Sequence, residues 1–250
     1  MPRYFLEIAY TGTNYSGFQV QQNANTVQAE AEKALEIFYR NKFELTGSSR
    51  TDAGVHARQN FFHFDTGVEI SPQHIYNINS ILPNDIVIKN IIPVKDDAHC
   101  RFSATGRRYK YYITQNKNPF LLNTACYYPY KTNIEILKLL AQEVINYTDF
   151  TSFSKRNTQV KTFICAIENS EWTIENDCLV YHVKANRFLR GMVRALTATM
   201  LRVAKDSSEN PIHSFKKIIE SKDCTKANFS VPAHGLFLVE VSFPADIFLL

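Results

Sequence analysis

Apolar and polar positions along this 250-residue chain fall into blocks that each suit one element. Tyr4 to Tyr10 is rich in β-branched and aromatic residues and stops at Thr11-Gly12, which predicts a strand and a turn. Thr26 is placed to cap a helix running to about Arg40, because Val27, Ala31, Ala34, Leu35 and Phe38 recur at helical spacing. A short strand is expected over Phe43 to Thr46, then a Gly47-Ser48-Ser49 loop, then a strand over Gln59 to Phe64. Ser71-Pro72 is expected to open a helix, since proline suits the first helical turn. Asp85 to Ile92 reads as a strongly apolar strand.

The second half continues the mixture. Arg108 to Thr114 predicts an aromatic-rich strand, and Asn133 to Asn146 a helix burying Ile134, Leu137, Leu140, Ala141 and Val144. Strands are expected near Thr162–Ile174 and Leu179–Ala185, helices over about Phe188 to Ala204 and Ile212 to Glu220, and a closing strand over Gly235 to Phe243. Strands and helices do not alternate regularly, and no glycine-rich phosphate loop follows a strand. The pattern therefore points to an α+β fold rather than a doubly wound sheet.

Composition narrows the class. With 45% hydrophobic and 21% charged residues the chain reads as soluble and globular. A formal charge of +4 permits a nucleic-acid partner without demanding one. Cys100, Cys126, Cys165, Cys178 and Cys224 are scattered and include no Cys-x-x-Cys pair, which disfavours a zinc ribbon or a secreted disulfide scaffold. No signal-peptide pattern precedes the first strand, and no apolar run approaches the roughly 20 residues of a membrane span, so a cytoplasmic protein is expected.

The segment with the most chemistry is Ser49-Arg50-Thr51-Asp52-Ala53-Gly54-Val55-His56-Ala57. It sets one short carboxylate between small residues, with an arginine two positions before it and a glycine that permits a tight turn. A neighbouring arginine favours the ionised carboxylate, and a positioned carboxylate can act as a nucleophile. An Asx turn, in which Thr51 and Asp52 bond their own backbone, accounts for the same residues without catalysis. A metal site built from Asp52, His56, His63 and Asp65 is disfavoured, because His63 and Asp65 share a strand face while the others sit in a loop. His56 is expected to be a packed or hydrogen-bonded loop residue. In the later strand, alternation puts Arg107, Tyr109 and Tyr111 on one face and Arg108, Lys110 and Tyr112 on the other.

The Asp52 nonapeptide resembles the signature of the TruA family of tRNA pseudouridine synthases. Collinear segments add to the resemblance: Tyr10-Thr11-Gly12, Tyr15-Ser16-Gly17-Phe18-Gln19, Thr26-Val27-Gln28 and Leu82-Pro83-Asn84-Asp85-Ile86. So do Ala98-His99-Cys100-Arg101-Phe102-Ser103-Ala104, Arg107-Arg108-Tyr109-Lys110-Tyr111 and Asp149-Phe150-Thr151-Ser152-Phe153. Lys184-Ala185-Asn186-Arg187-Phe188-Leu189-Arg190, Met192-Val193-Arg194 and Gly235-Leu236-Phe237-Leu238-Val239 complete the series. The resemblance implies two α+β subdomains, 1–105 and 106–250, with mixed, mainly antiparallel sheets joined across a central RNA-binding cleft and helices on the outer faces. It also implies a homodimer acting on tRNA uridines 38, 39 and 40 of the anticodon arm, with no cofactor and no metal.

By the same resemblance Asp52 is the nucleophile, Arg50 pairs with it, and Tyr109 stacks on the flipped uracil and serves in proton transfer. Arg101, Arg107, Arg108, Lys184, Arg187, Arg190 and Arg194 lie in the matching segments. The spacing of Arg187, Arg190 and Arg194 suits one helical stripe along an RNA backbone, or a solvated helix face. Lys155-Arg156 and Lys161 read as a mobile basic loop reaching the tRNA body, and Leu236 as the apolar residue that closes the uracil pocket, or plain core. The chain departs from the family pattern at Phe18, Val20, Ala195 and Ala198. Two rivals remain at this point: an RNA-binding module without catalysis, and a metal-dependent hydrolase using Asp52 and His56.

Overall fold

Nine strands and five helices form from these blocks in the computed structural model, which describes residues 1–156, 160–206 and 210–249. The order is β1 (Arg3–Tyr10), α1 (Val27–Tyr39), β2 (Thr46–Gly47), β3 (His56–Asp65), α2 (His74–Ile81) and β4 (Ile86–Val94). There follow β5 (Gly106–Thr114), β6 (Cys126–Tyr127), α3 (Ile134–Ile145), β7 (Ile167–Glu175), β8 (Cys178–Ala185), α4 (Met192–Lys205), α5 (Pro211–Glu220) and β9 (Leu236–Ser242). Both α+β character and a mixed, mostly antiparallel pairing are observed. No helix among the described residues is long and apolar enough to cross a membrane.

The chain divides into Met1–Gly106 with Phe237–Leu250, and Arg107–Leu236. The closing strand groups with the N-terminal segment in the first unit. Its packing explains why. Residues Phe237 and Leu238 pair in parallel with His56 and Ala57, and the rings of Phe243 and Phe248 pack on Phe5.

In the first unit, β3 and β4 flank β1 antiparallel, with Phe5 opposite both His63 and Ile92. Phe5, Leu6, Ile8, Phe62 and Ile88 close the core of that sheet. α1 starts because Thr26 accepts the Ala29 amide, and of the predicted face it buries Val27, Ala31, Ala34 and Leu35 while Phe38 stays half-buried. Two expected boundaries move. Only Thr46 and Gly47 pair with β3, because the Leu45 amide donates to Glu32 Oε1 instead of to a strand. Ser71 and Pro72 form a turn that accepts from His74 and Ile75, so α2 begins at His74.

In the second unit, β5, β8 and β7 run antiparallel in that order, and β6 pairs with β5 in parallel. α3, α4 and α5 pack against one another, and α3 also packs on β7. Ala195 and Ala198, two of the departures from the family pattern, are buried on α4. The chain over 162–166 stays outside regular pairing except at Ile164, and β7 begins at Ile167. Residues 157–159, the middle of the expected basic loop, lie outside the described residues.

Candidate active site

The loop between β2 and β3 places Asp52. Val55 donates its amide to the Asp52 carbonyl at 3.1 Å, closing a turn over Ala53-Gly54. Gly54 has φ +77°, which the third position of a type II turn requires. Asp52 itself is half-buried, and Arg50 is exposed.

The flanks of this turn are held by buried polar contacts. Thr51 Oγ1 lies 2.7 Å from the Tyr10 hydroxyl, and Asn60 Nδ2 donates to that hydroxyl and to the Ser49 carbonyl at 3.3 and 2.9 Å. The Phe18 amide donates to the Thr51 carbonyl at 3.2 Å. Phe18 stacks on Phe62 at 4.3 Å and 10°. On the far side of the turn, Gly12 donates its amide to His56 Nδ1 at 3.0 Å. The neutral His56 ring therefore carries its hydrogen on Nε2, and it stacks on Phe237 at 4.5 Å. Gly12 is required there, because a Cβ would sit 2.0 Å from the Val55 carbonyl oxygen.

His56 is thus a fully buried, hydrogen-bonded residue, as its sequence context suggested. A trio, His63, His99 and Cys100, brings possible ligand atoms within 4.8 Å of one another. Its atoms are engaged internally. Cys100 donates its thiol to the Thr46 carbonyl at 3.0 Å, and the sulfur lies 3.2 Å from His63 Nδ1. His99 Nδ1 accepts the Arg101 and Phe102 amides at 3.1 and 3.4 Å. Burial, with His99 and Arg3 nearby, pushes His63 down to about 4, so its ring is neutral at ordinary pH.

Tyr109 sits on the buried face of β5 with Tyr111 and Ile113, in the alternation predicted. Its ring meets Phe188 edge-on at 5.1 Å and 84°. Tyr111 is enclosed: its hydroxyl donates to the Pro232 carbonyl at 2.7 Å, and burial raises its pKa far above the phenol range. Lys110, on the other face, pairs with Glu175 at 3.0 Å. Leu236 opens β9 and is buried.

The arginines separate. A helical stripe of Arg187, Arg190 and Arg194 does not form, because α4 begins only at Met192, after Gly191 at φ +76°. Arg194 alone is on the helix, and its Nε and Nη2 both donate to the Val231 carbonyl, at 3.0 and 2.8 Å. Arg187 and Arg190 occupy the irregular 186–191 segment, Arg187 half-buried and Arg190 exposed. That segment is tied down by Arg107, which donates to the Asn186 carbonyl at 3.0 Å, and by Asn186 Oδ1, which accepts from Ala166 at 2.9 Å. Lys184 pairs with Glu168 at 2.7 Å. Arg101 stands on an exposed turn before β5.

A family model described as tRNA pseudouridine synthase matches residues 8–103 and 141–244. The chain belongs to that family. It is 43% identical over 250 residues to the tRNA pseudouridine synthase A of Parabacteroides distasonis, spanning 99% of this chain and 98% of that protein. It is 41% identical over 254 residues to the Porphyromonas gingivalis protein of the same name, spanning 100% of each. The tRNA pseudouridine synthase A of Staphylococcus aureus strain JH1 is 38% identical over 242 residues, which cover 96% of this chain and 90% of that one.

For this pseudouridine synthase, sequence reasoning missed the residues that fasten the Asp52 turn. Tyr10 and Gly12 stood in a matching motif without a role, Thr51 was read only as bonding its own backbone, and Asn60 had no role assigned. One signal was available: alternation puts Asn60 on the same strand face as Phe62 and Phe64, and a polar amide on an apolar face needs partners.

Proposed function

We propose that the protein isomerises uridine to pseudouridine in the anticodon stem-loop of tRNA, at positions 38, 39 and 40, with Asp52 as the nucleophile. Family membership carries the coarser part, an isomerase acting on tRNA. The observation that supports the finer part is the fastening of the Asp52 turn. A half-buried carboxylate sits on a loop held by Tyr10, Thr51, Asn60, Gly12 and His56, so its position changes little when a substrate arrives.

The reaction breaks the N1–C1′ bond and forms a C5–C1′ bond, while one proton leaves C5 and one is gained at N1. No electron or phosphoryl group is exchanged, so the balance needs no cofactor. Asp52 engages C1′, or C6 of the ring, or takes the 2′ proton on the way to a glycal. Tyr109 stacks on the extruded uracil, as aromatic rings do for bases removed from a helix, and serves the proton at C5. Arg50 supports the carboxylate, and Leu236 closes the pocket on the base. Arg101, Arg107, Arg187, Arg190 and Arg194 complete the assigned binding set. Within it the Arg107 and Arg194 guanidinium groups act by holding backbone, since each donates to a carbonyl. The enzyme works as a homodimer in the cytoplasm, a state that sedimentation at micromolar concentration reads directly.

The test is incubation with an unmodified tRNA transcript in EDTA, followed by carbodiimide mapping of pseudouridine. Modification is expected at 38 to 40 in chelator, and is expected to vanish in Asp52→Ala while the melting transition is kept. Activity that survives Asp52→Ala overturns the assignment. Binding without modification by the native protein favours an RNA-binding module instead, and loss of activity in chelator favours a metal enzyme.

A further inference from the structure

Phe102 is 75% exposed at the tip of a turn in the first unit, where most of its apolar ring faces solvent. A single exposed hydrophobic residue is ordinary on a protein surface. This one differs in how it is held. The Phe102 and Arg101 amides both donate to His99 Nδ1, the His99 amide donates to Ser103 Oγ at 3.0 Å, and the Ser103 amide returns to the His99 carbonyl at 2.8 Å. Four bonds across five residues fix the backbone that carries the ring. The side chains are ordered as well. The His99 imidazole lies 4.3 Å from the Phe102 ring, and the Arg101 guanidinium carbon lies over that ring at 5.5 Å.

We propose that Phe102, with Arg101 and His99, is a stacking platform for an unpaired nucleobase of the RNA substrate. The inference rests on the tRNA-modifying function proposed above and adds to it a contact for a base on the first unit. Three features favour a nucleobase. Every base offers a π face to a ring, whatever its identity. A guanidinium beside that ring adds a cation–π contribution and a charge for the adjoining phosphate. The turn is already ordered, so binding does not have to immobilise the phenyl-bearing backbone. Burial, with Arg3 and Arg101 close by, holds His99 below the ordinary histidine range. Its Nδ1 thus remains an acceptor at neutral pH, and the turn keeps its shape.

The protein contains one tryptophan, Trp172, which is 2% exposed, so Phe102→Trp introduces a single exposed reporter. Saturating unmodified tRNA transcript is expected to quench that added emission. Phe102→Ala is expected to weaken tRNA binding by about 5- to 150-fold, the range for losing one base–aromatic stack. KM should rise with it, kcat at saturating tRNA should hold, and Phe102→Tyr should restore both binding and KM. A melting transition unchanged in all three variants separates this from a structural effect. The proposal is overturned if Phe102→Ala binds tRNA within twofold of the native protein, or if the new tryptophan ignores saturating tRNA. It is also overturned if that emission shifts with protein concentration in the absence of RNA, which is the signature of a contact between copies. Normal pseudouridine formation with an indifferent Phe102 sinks this inference alone. A native protein that binds tRNA through Phe102 yet modifies nothing sinks the catalytic reading and leaves the platform standing.

Discussion

Protonating His63 places a charge in a nearly closed site against Phe5, with His99 and the Arg3 guanidinium close by. The unfolded ring has a pKa near 6.5, and the folded one is held at about 4. Between those values the unfolded chain binds the extra proton, so stability is full above about 6.5 and falls as pH drops toward 4. The shift of about 2.5 units sets a ceiling near 3 kcal/mol on the loss. His99 and His182 are also depressed by burial and act in the same sense. Carboxylates held low by their partners, such as Asp65 by Arg3, lose their contribution only below about pH 4. Urea midpoints measured from pH 7.5 to 4.5 should therefore fall steadily, and His63→Gln should remove most of that slope; a flat native profile would contradict the burial argument. A second residue-scale expectation concerns Gly12. Its missing Cβ leaves room for the Val55 carbonyl, which is backbone and cannot swing away. Gly12→Ala should cost at least about 2 kcal/mol in thermal unfolding, while Gly67→Ala, with nothing within 4 Å, should stay within about 0.5 kcal/mol.

Elements were legible where a cap and a periodic face agreed. α3 shows both: Asn133 Oδ1 accepts the Glu135 and Ile136 amides at 3.0 and 3.3 Å, and Leu137, Leu140, Ala141 and Val144 are buried as the spacing required, while Ile134 in the first turn stays half-buried. Asn133→Ala should therefore cost about 1 kcal/mol by chemical denaturation, without changing the fold. α4 was misread at its start for a definable reason. Arg187, Arg190 and Arg194 are spaced three and four apart, as on one helix face, but the Asn186 side chain bonds to Ala166 and Gly191 adopts a left-handed φ. These tertiary contacts override spacing, and they turn an expected stripe of three arginines into two loop residues and one helical residue tied to Val231. The Asp52 turn was visible as a motif, whereas its supports were not, because Tyr10, Thr51 and Asn60 are brought together by strand pairing across 41 and 50 positions. β9 shows the same limit: nothing local indicates that the last strand groups with the first unit.

For the whole molecule, the net charge of +4 understates how unevenly positive charge is available to an RNA. Lys89, Lys95, Lys110, Lys184, Lys216 and Lys222 each lie within 3.6 Å of a carboxylate, which cancels much of their field at a distance. Arg50 is exposed on the loop that carries Asp52. If the protein binds tRNA as proposed, counterion release should be governed by residues of the second kind. Each phosphate contact adds about 0.7 to 0.9 to the slope of log K against log salt. Arg50→Ala is thus expected to reduce that slope by about that amount between roughly 50 and 200 mM salt. Lys184→Ala should leave it unchanged, even though Lys184 stands in a matching segment of the sequence, because its charge is already answered by Glu168 at 2.7 Å. Titrating labelled tRNA at four salt concentrations separates the two variants. Equal flattening by both would mean that an intramolecular ion pair opens to serve a phosphate, and that sequence position within the family motifs, more than local pairing, decides which cations bind RNA.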